Sequence, residues 1–230
     1  MSQLDPVLGK KIHDHLVNLG IETPMIDNGL TEQQKMDIIK EKFGEIMDAL
    51  GLDRTDDSLE ETPRRVAKMY VREMFKGMSY DSFPKCTTID NKMSTKNEFV
   101  CLKDIRVIST CEHHFAIILG SGDNYMGAVV AYIPKTKVLG LSKMSRVVDF
   151  FLKRPQVQER ATNQIMEAMK IIVESDDVAV YIDAVHTCLS TRGIMDTGAS
   201  TVTLAVSGQF ENNDKIRQEF LSIANRTGKK

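Results

Sequence analysis

A chain of 230 residues can bury a core without disulfide staples, as one large domain or as a compact domain with an extension. Its 30 basic and 32 acidic side chains give a formal net charge of -2, which excludes bulk attraction to nucleic acid or membrane and leaves local clusters as the only anion sites. The four Cys form no paired framework and no run resembles a signal sequence or a membrane span, so the chain reads as cytoplasmic, with thiolate or buried-thiol cysteines.

Residues 1 to about 30 carry Pro6, Pro24 and Gly29 and read as a lead-in with room for a short helix. His13-Asp14-His15 reads as an exposed polar turn of that helix, because one intervening residue turns two side chains about 200° apart. Thr31 and Gln34 form a T-x-x-Q capping box, and Met36, Ile39, Phe43, Ile46, Met47 and Leu50 line one face of a helix that Gly51 stops. A second helix starts with Thr62 as N-cap and Pro63 at the first turn and runs to Gly77. Its first turns hold Arg64, Arg65 and Lys68, cations at the positive end of a helix dipole. Spacing leaves a solvated basic face and an anion site both open.

From Cys86 onward the period changes. Residues 98–109 and Met126 to Ile133 read as strands, and Gly120-Ser-Gly-Asp-Asn between them is turn chemistry, which predicts an antiparallel hairpin with a long tip. Two helices follow, from about Ser142 to Lys153 and from Gln156 to about Ser175. Strands over Val178 to Cys188 and Ser200 to Ser207 come next, and a polar tail runs to Lys230. The order strand-strand-helix-helix-strand-strand predicts an α+β fold, one antiparallel sheet with helices on one face, over residues 86–230. Residues 1–85 form a helical N-terminal region appended to it.

Metal-ligand chemistry is concentrated in two places. Cys111-Glu112-His113-His114 holds three of the chain's nine Cys and His side chains, and Cys111 and His114 have the C-x-x-H spacing that a tight turn folds onto one ion. His186 and Cys188 lie two apart at the end of the strand run from Val178 and so are expected to project from one face. A soft S/N donor set favours zinc. Four ligands would make a closed structural site, and three would leave a position open for catalysis. The spare histidine favours the open form, since histidines beside an open metal suit proton transfer. The nucleobase deaminase pattern, H-x-E with P-C-x-x-C, is absent.

Together STCEHHF, VAYIPK, GLSKMSRVVDFF, RPQVQER, VAVYIDAVHTC and the TRG after it resemble the GTP cyclohydrolase I family, of the bacterial type. The resemblance is collinear from Glu61–Tyr70 to about Phe220, looser over the helix from Thr31, and does not reach the first ~30 residues. It implies the tunnelling fold, ββααββ, and one zinc per subunit on Cys111, His114 and Cys188, with His113 and His186 left for substrate. It also implies conversion of GTP and water to 7,8-dihydroneopterin triphosphate and formate, the first step of tetrahydrofolate and pterin biosynthesis. Water activated by zinc opens the guanine imidazole ring at C8, formate leaves, and an Amadori rearrangement of the ribose precedes ring closure. His186 would protonate the purine nitrogen beside C8, His113 would serve the ribose ring oxygen, and Ser142 would lie near the ribose.

By the same resemblance Glu159, with Gln158 beside it, would accept from guanine N1–H and the exocyclic amine. Lys143 and Arg146, three apart at a helix start, would join Arg192, Arg65 and Lys68 on the triphosphate. Family members assemble as decamers whose pockets draw on more than one subunit, with Glu112 bridging subunits there. One departure is visible: the stretch Gly120–Gly127 is longer than the family's turn by roughly a half-dozen residues.

Overall fold

The computed structural model describes residues 3–92 and 98–226, and its first helix is no lead-in. In α1 (Pro6–Asn18) the Asp5 carboxylate accepts from the Leu8 N–H at 3.0 Å and Pro6 occupies the first turn. Leu8, Ile12 and Leu16 recur every four residues, and Ile12 and Leu16 are fully buried in the same cluster as Phe83, Val148 and Phe151. The helical region and the sheet therefore share one core. Asp14 does sit on an exposed face, whereas His13 is half-buried against the Tyr80 ring and His15 reaches Glu167 at 2.8 Å.

Helix α2 (Glu32–Ala49) starts at the capping box of Thr31 and Gln34 and stops at Gly51, whose φ of +76° suits glycine. Its apolar face is only partly covered: Met47 is buried, but Ile46 and Leu50 remain exposed. Helix α3 (Thr62–Lys68) follows Glu61, one residue earlier than a Thr62 cap requires. It does not run to Gly77 as an α-helix; Met69–Met74 is π-helical, and Phe75 N–H closes it on the Tyr70 carbonyl at 2.9 Å.

The strands begin with β1 (Thr88–Asp90), β2 (Val100–Arg106), β3 (Ile108–Cys111), β4 (Ile117–Gly120), β5 (Met126–Tyr132) and β6 (Lys137–Leu139). β2 pairs antiparallel with β5, β3 with β4, and β1 with β6. The first two pairings form a single long hairpin, interrupted at one level. There Val107 N–H donates to Tyr125 O at 2.8 Å and Gly120 N–H to Val107 O at 2.9 Å. The residues between Gly120 and Met126 are pushed out of the strand, and a Cβ on Gly127 would lie 2.8 Å from Gly120 Cα, so the two glycines let the strand close over the gap. The turn signal at Gly120–Asn124 thus marks an expelled loop. The hairpin tip is Glu112–Ala116.

Next come α4 (Leu141–Leu152), β7 (Pro155–Gln156), α5 (Gln158–Val173), β8 (Val178–His186), α6 (Thr187–Ser190) and β9 (Thr201–Val206). β7 lies parallel to β3, with Gln156 opposite Cys111. β8 pairs with β5 in its first half, β4 in its second and β9 along its other edge. It ends at His186, so Cys188 stands on a helical turn, not on the strand. The ββααββ order holds, with α4 and α5 packed on the face carrying Ala128, Val130, Tyr132, Val178, Val180 and Ile182.

The expected polar tail is instead α7 (Gln209–Asn212) and α8 (Asp214–Ala224), started by Asn213. Phe210, Ile216, Phe220 and Ala224 bury Val129, Ala131, Ala179 and Tyr181, the alternate residues of β5 and β8. Part of the sheet's second face is covered in this way. Among the described residues no helix is long and apolar enough to cross a membrane.

Candidate active site

Strand β4 joins the two halves of the ligand chemistry. It pairs with β3 on one side (Thr110 opposite Ile117) and with β8 on the other (Ile118 opposite His186), bringing residues 75 or more positions apart to one end of the sheet. Thr187 Oγ1 donates to Ile117 O at 2.7 Å and holds α6 over the same end. As a result Cys111, His186 and Cys188 each offer a ligand atom within 4.8 Å of the others. Cys111 is buried and the other two are half-buried.

The donor set suits a borderline-soft divalent ion. Burial, and then the neighbouring Cys111, push the Cys188 thiol above its ordinary pKa, with Arg192 opposing. A cation between two such thiols would reverse that balance and favour both thiolates.

His186 is held from behind. Gln158 is 3 % exposed, and its amide nitrogen donates to Ile182 O (3.2 Å), Thr201 O (2.9 Å) and Thr203 Oγ1 (3.1 Å). Two of those partners are carbonyls and can only accept, so the amide has one orientation and Oε1 faces His186 Nε2 at 2.9 Å. His186 Nε2 must carry the proton. Burial lowers the His186 pKa, while Glu159 works in the opposite sense.

The tip places the other histidines differently. Cys111 N–H donates to Ala116 O at 2.8 Å and Phe115 N–H to Cys111 O at 2.9 Å, with Phe115 at a φ of +52°. The Phe115 ring meets Tyr70 and Phe75, with centroids 6.2 and 5.5 Å away, so the π-helical stretch supports the tip. His113 is exposed, its Nδ1 3.7 Å from Cys111 Sγ. His114 is also exposed and stands outside the ligand cluster. Arg192 Nη1, a donor, lies 3.0 Å from its Nε2 and draws it toward α6. The sequence reading gives the third ligand position to His114; in the structure His186 is the histidine beside the two thiols.

Among the remaining residues, Glu159 is exposed in the first turn of α5 and Ser142, Lys143 and Arg146 open α4. Arg146 lines a groove of about 370 Å³ with Lys76, Asp149 and Phe150. Lys68 lines a second groove of about 240 Å³ between α2 and α3, with Lys40, Arg64 and Arg72, and Arg65 is exposed on the same helix. Of the predicted phosphate cations, Arg146 and Lys68 thus line separate grooves of one chain, and Arg192 stands apart from both beside His114. Gln158 is turned to His186 rather than to open surface. Glu112 is engaged by Arg160 of its own chain, at 2.6 and 3.3 Å. Sequence reasoning did not single out Arg160, Thr203 or Tyr70. The polar spacing at Gln158, Thr162 and Thr203 carries that information only once β9 is known to lie against α5.

The chain matches the family model described as GTP cyclohydrolase I over residues 39–225. It is 52% identical over 212 residues to the GTP cyclohydrolase 1 of Vibrio cholerae, covering 92% of this chain and 94% of that one. It is 49% identical over 212 residues to that of Shewanella amazonensis, covering 92% and 95%. A match of this length at this identity, on a sheet that assembles the Cys-His-Cys cluster, settles the relationship: the chain belongs to the GTP cyclohydrolase I family.

Proposed function

We propose that the chain carries out its family's reaction, GTP and water to 7,8-dihydroneopterin triphosphate and formate, at the end of the sheet where Cys111, His186 and Cys188 meet. That convergence within 4.8 Å is the observation that carries the reading. Cys111 and Cys188 are the thiolate ligands of one zinc ion, with His114 as the third after it releases Arg192. The ion, when bound, lowers the pKa of water toward neutrality at the reacting carbon.

The protein's own groups do the rest. Glu159, at the mouth of α5, accepts from guanine N1–H and the exocyclic amine, a pair that adenine does not offer. His186 manages the proton at the purine nitrogen. With Nε2–H committed to Gln158, a transferable proton resides on Nδ1, and burial makes the resulting imidazolium a readier acid. His113 serves the ribose ring oxygen, and Ser142 lies near the ribose. Lys143, Arg146 and Arg192 neutralise the triphosphate. Arg65 and Lys68, both on α3 with Lys68 lining the other groove, fit a role in a neighbouring subunit's pocket. A homodecamer in the cytoplasm is the assembly this division of cations suits.

A second reading rests on the same cluster: His186 is the third ligand and His114 stays with Arg192. The test of the main claim mixes metal-replete protein with GTP and follows formate and, after oxidation, a fluorescent pterin. Formate in step with pterin is the expected result. No formate from protein holding stoichiometric zinc would refute it.

A further inference from the structure

The family match begins at residue 39, yet a segment before it is wired into the strand beneath the ligand Cys111. Gln164 on α5 is fully buried; its amide nitrogen donates to Ile21 O at 2.8 Å and lies 3.3 Å from Thr23 Oγ1. Because Ile21 O can only accept, Gln164 Oε1 faces the other way and accepts from Gln156 Nε2 at 2.8 Å. Gln156 Nε2 also donates to Phe151 O at 2.9 Å, which fixes that amide too. The backbone of Gln156 then finishes the path: it pairs with Cys111 in the sheet, and its carbonyl accepts from Glu112 N–H at 3.1 Å.

A second buried link runs beside the first. Arg154 is 0 % exposed and lies between the rings of Tyr80, Phe150 and Phe151, about 5 Å from each centroid. It donates to Glu22 Oε1 at 2.9 Å and to Gly77 O at 2.6 Å, and lies 3.3 Å from Thr23 Oγ1. Arg154 immediately precedes β7. Both links therefore leave Ile21–Thr23 and arrive at β7, one at Gln156 opposite Cys111 and the other at Arg154, the residue just before the strand.

We propose that Gln164, with Thr23 and the Glu22–Arg154 pair, is a positioning element for the metal centre, making Ile21–Thr23 part of the site's support. An interior amide chain with fixed orientations has one low-energy arrangement, so it sets where β7 lies and hence where Cys111 presents its sulfur. Such support governs the geometry and affinity of the ligand set beyond its share of stability.

The inference rests on Cys111 being a metal ligand, and the experiment separates the two claims. Cobalt(II) is loaded into full-length metal-free wild type, Gln164→Leu and Thr23→Val, and its visible d–d bands and its release to a chelator are followed. Thr23→Val is the milder change and guards against a Gln164→Leu chain that does not fold. Wild type is expected to show tetrahedral thiolate–cobalt bands, and the variants shifted bands with about tenfold faster loss to chelator. Variants that melt lower but match the wild-type bands and release overturn the positioning role. A wild type that shows no thiolate–cobalt bands overturns the metal reading itself.

Discussion

Gln158 Oε1 accepts the Nε2 proton of His186 at 2.9 Å, and the amide cannot turn over, because its nitrogen already serves the carbonyls of Ile182 and Thr201. That single bond fixes the ring's tautomer and leaves Nδ1 as the lone-pair nitrogen. Gln158→Leu would remove the amide that bonds both carbonyls and Thr203 Oγ1, and would release the ring. The loss of these buried bonds costs about 1 to 3 kcal/mol, measurable by urea denaturation. Turnover is expected to drop about 10- to 100-fold as the imidazole loses its orientation. A variant as stable and as fast as wild type would show that the bond organises nothing.

The two readings of the third ligand part at two substitutions. With His114 on the metal, His114→Ala loses zinc, while His186→Ala keeps it and loses turnover by about two to four orders of magnitude. With His186 on the metal, the metal contents exchange. Zinc per chain after gel filtration, together with formate release, decides between them. Cys188→Ala is expected to lose metal and activity under either reading, and a metal-replete, active Cys188→Ala would remove the thiolate pair from the site.

Local signals were legible in the sequence, and long-range ones were not. Thr31, Gln34 and Gly51 bound their helix because a cap is a contact within one turn, readable from neighbours alone. The chemistry of Gly120–Asn124 is real turn chemistry, but its place depends on Gly120 and Gly127 touching and on Val107 bonding across them. That is a tertiary fact, and it moves the hairpin tip to Glu112–Ala116. Phe210, Ile216 and Phe220 carry a helical period, but their worth depends on Val129 and Tyr181 needing a cover. The ligand types and their two locations were visible. Which histidine stands nearest the thiols was not, because Arg192 decides it from 78 positions away.

The four cysteines should divide by reactivity. Burial pushes the Cys86 thiol up to about 12 and the Cys101 thiol up to about 11, so both stay protonated and slow toward iodoacetamide at neutral pH. Cys111 and Cys188 are shielded while metal is bound. Chelation is expected to open the half-buried Cys188 to alkylation, at a rate that climbs with pH because its thiol lies above the ordinary value. Mass spectrometry of the four cysteine peptides, with and without chelator, reads this out. Equal labelling of Cys188 in both samples would mean that no metal protects it.

The Glu112–Arg160 pair ties the hairpin tip to the first turn of α5, next to Gln158 and Glu159. Arg160 Nη1 donates to Glu112 Oε2 at 2.6 Å and Nη2 to Oε1 at 3.3 Å, with each side chain 22% exposed. A forked pair with this little water around it is worth more than a surface salt bridge, and losing one member leaves a partly buried charge alone. Arg160→Met is therefore expected to cost about 1 to 3 kcal/mol and Glu112→Gln less, because the amide oxygen still accepts one of the two bonds. The double variant should cost less than the two singles added, by more than about 0.5 kcal/mol, the signature of direct coupling. If Glu112 instead acts on substrate or across a subunit boundary, Glu112→Gln would raise the KM for GTP and leave the Arg160→Met cost unchanged in its presence. The thermodynamic cycle, read beside KM, therefore shows whether this carboxylate braces the tip or meets the substrate.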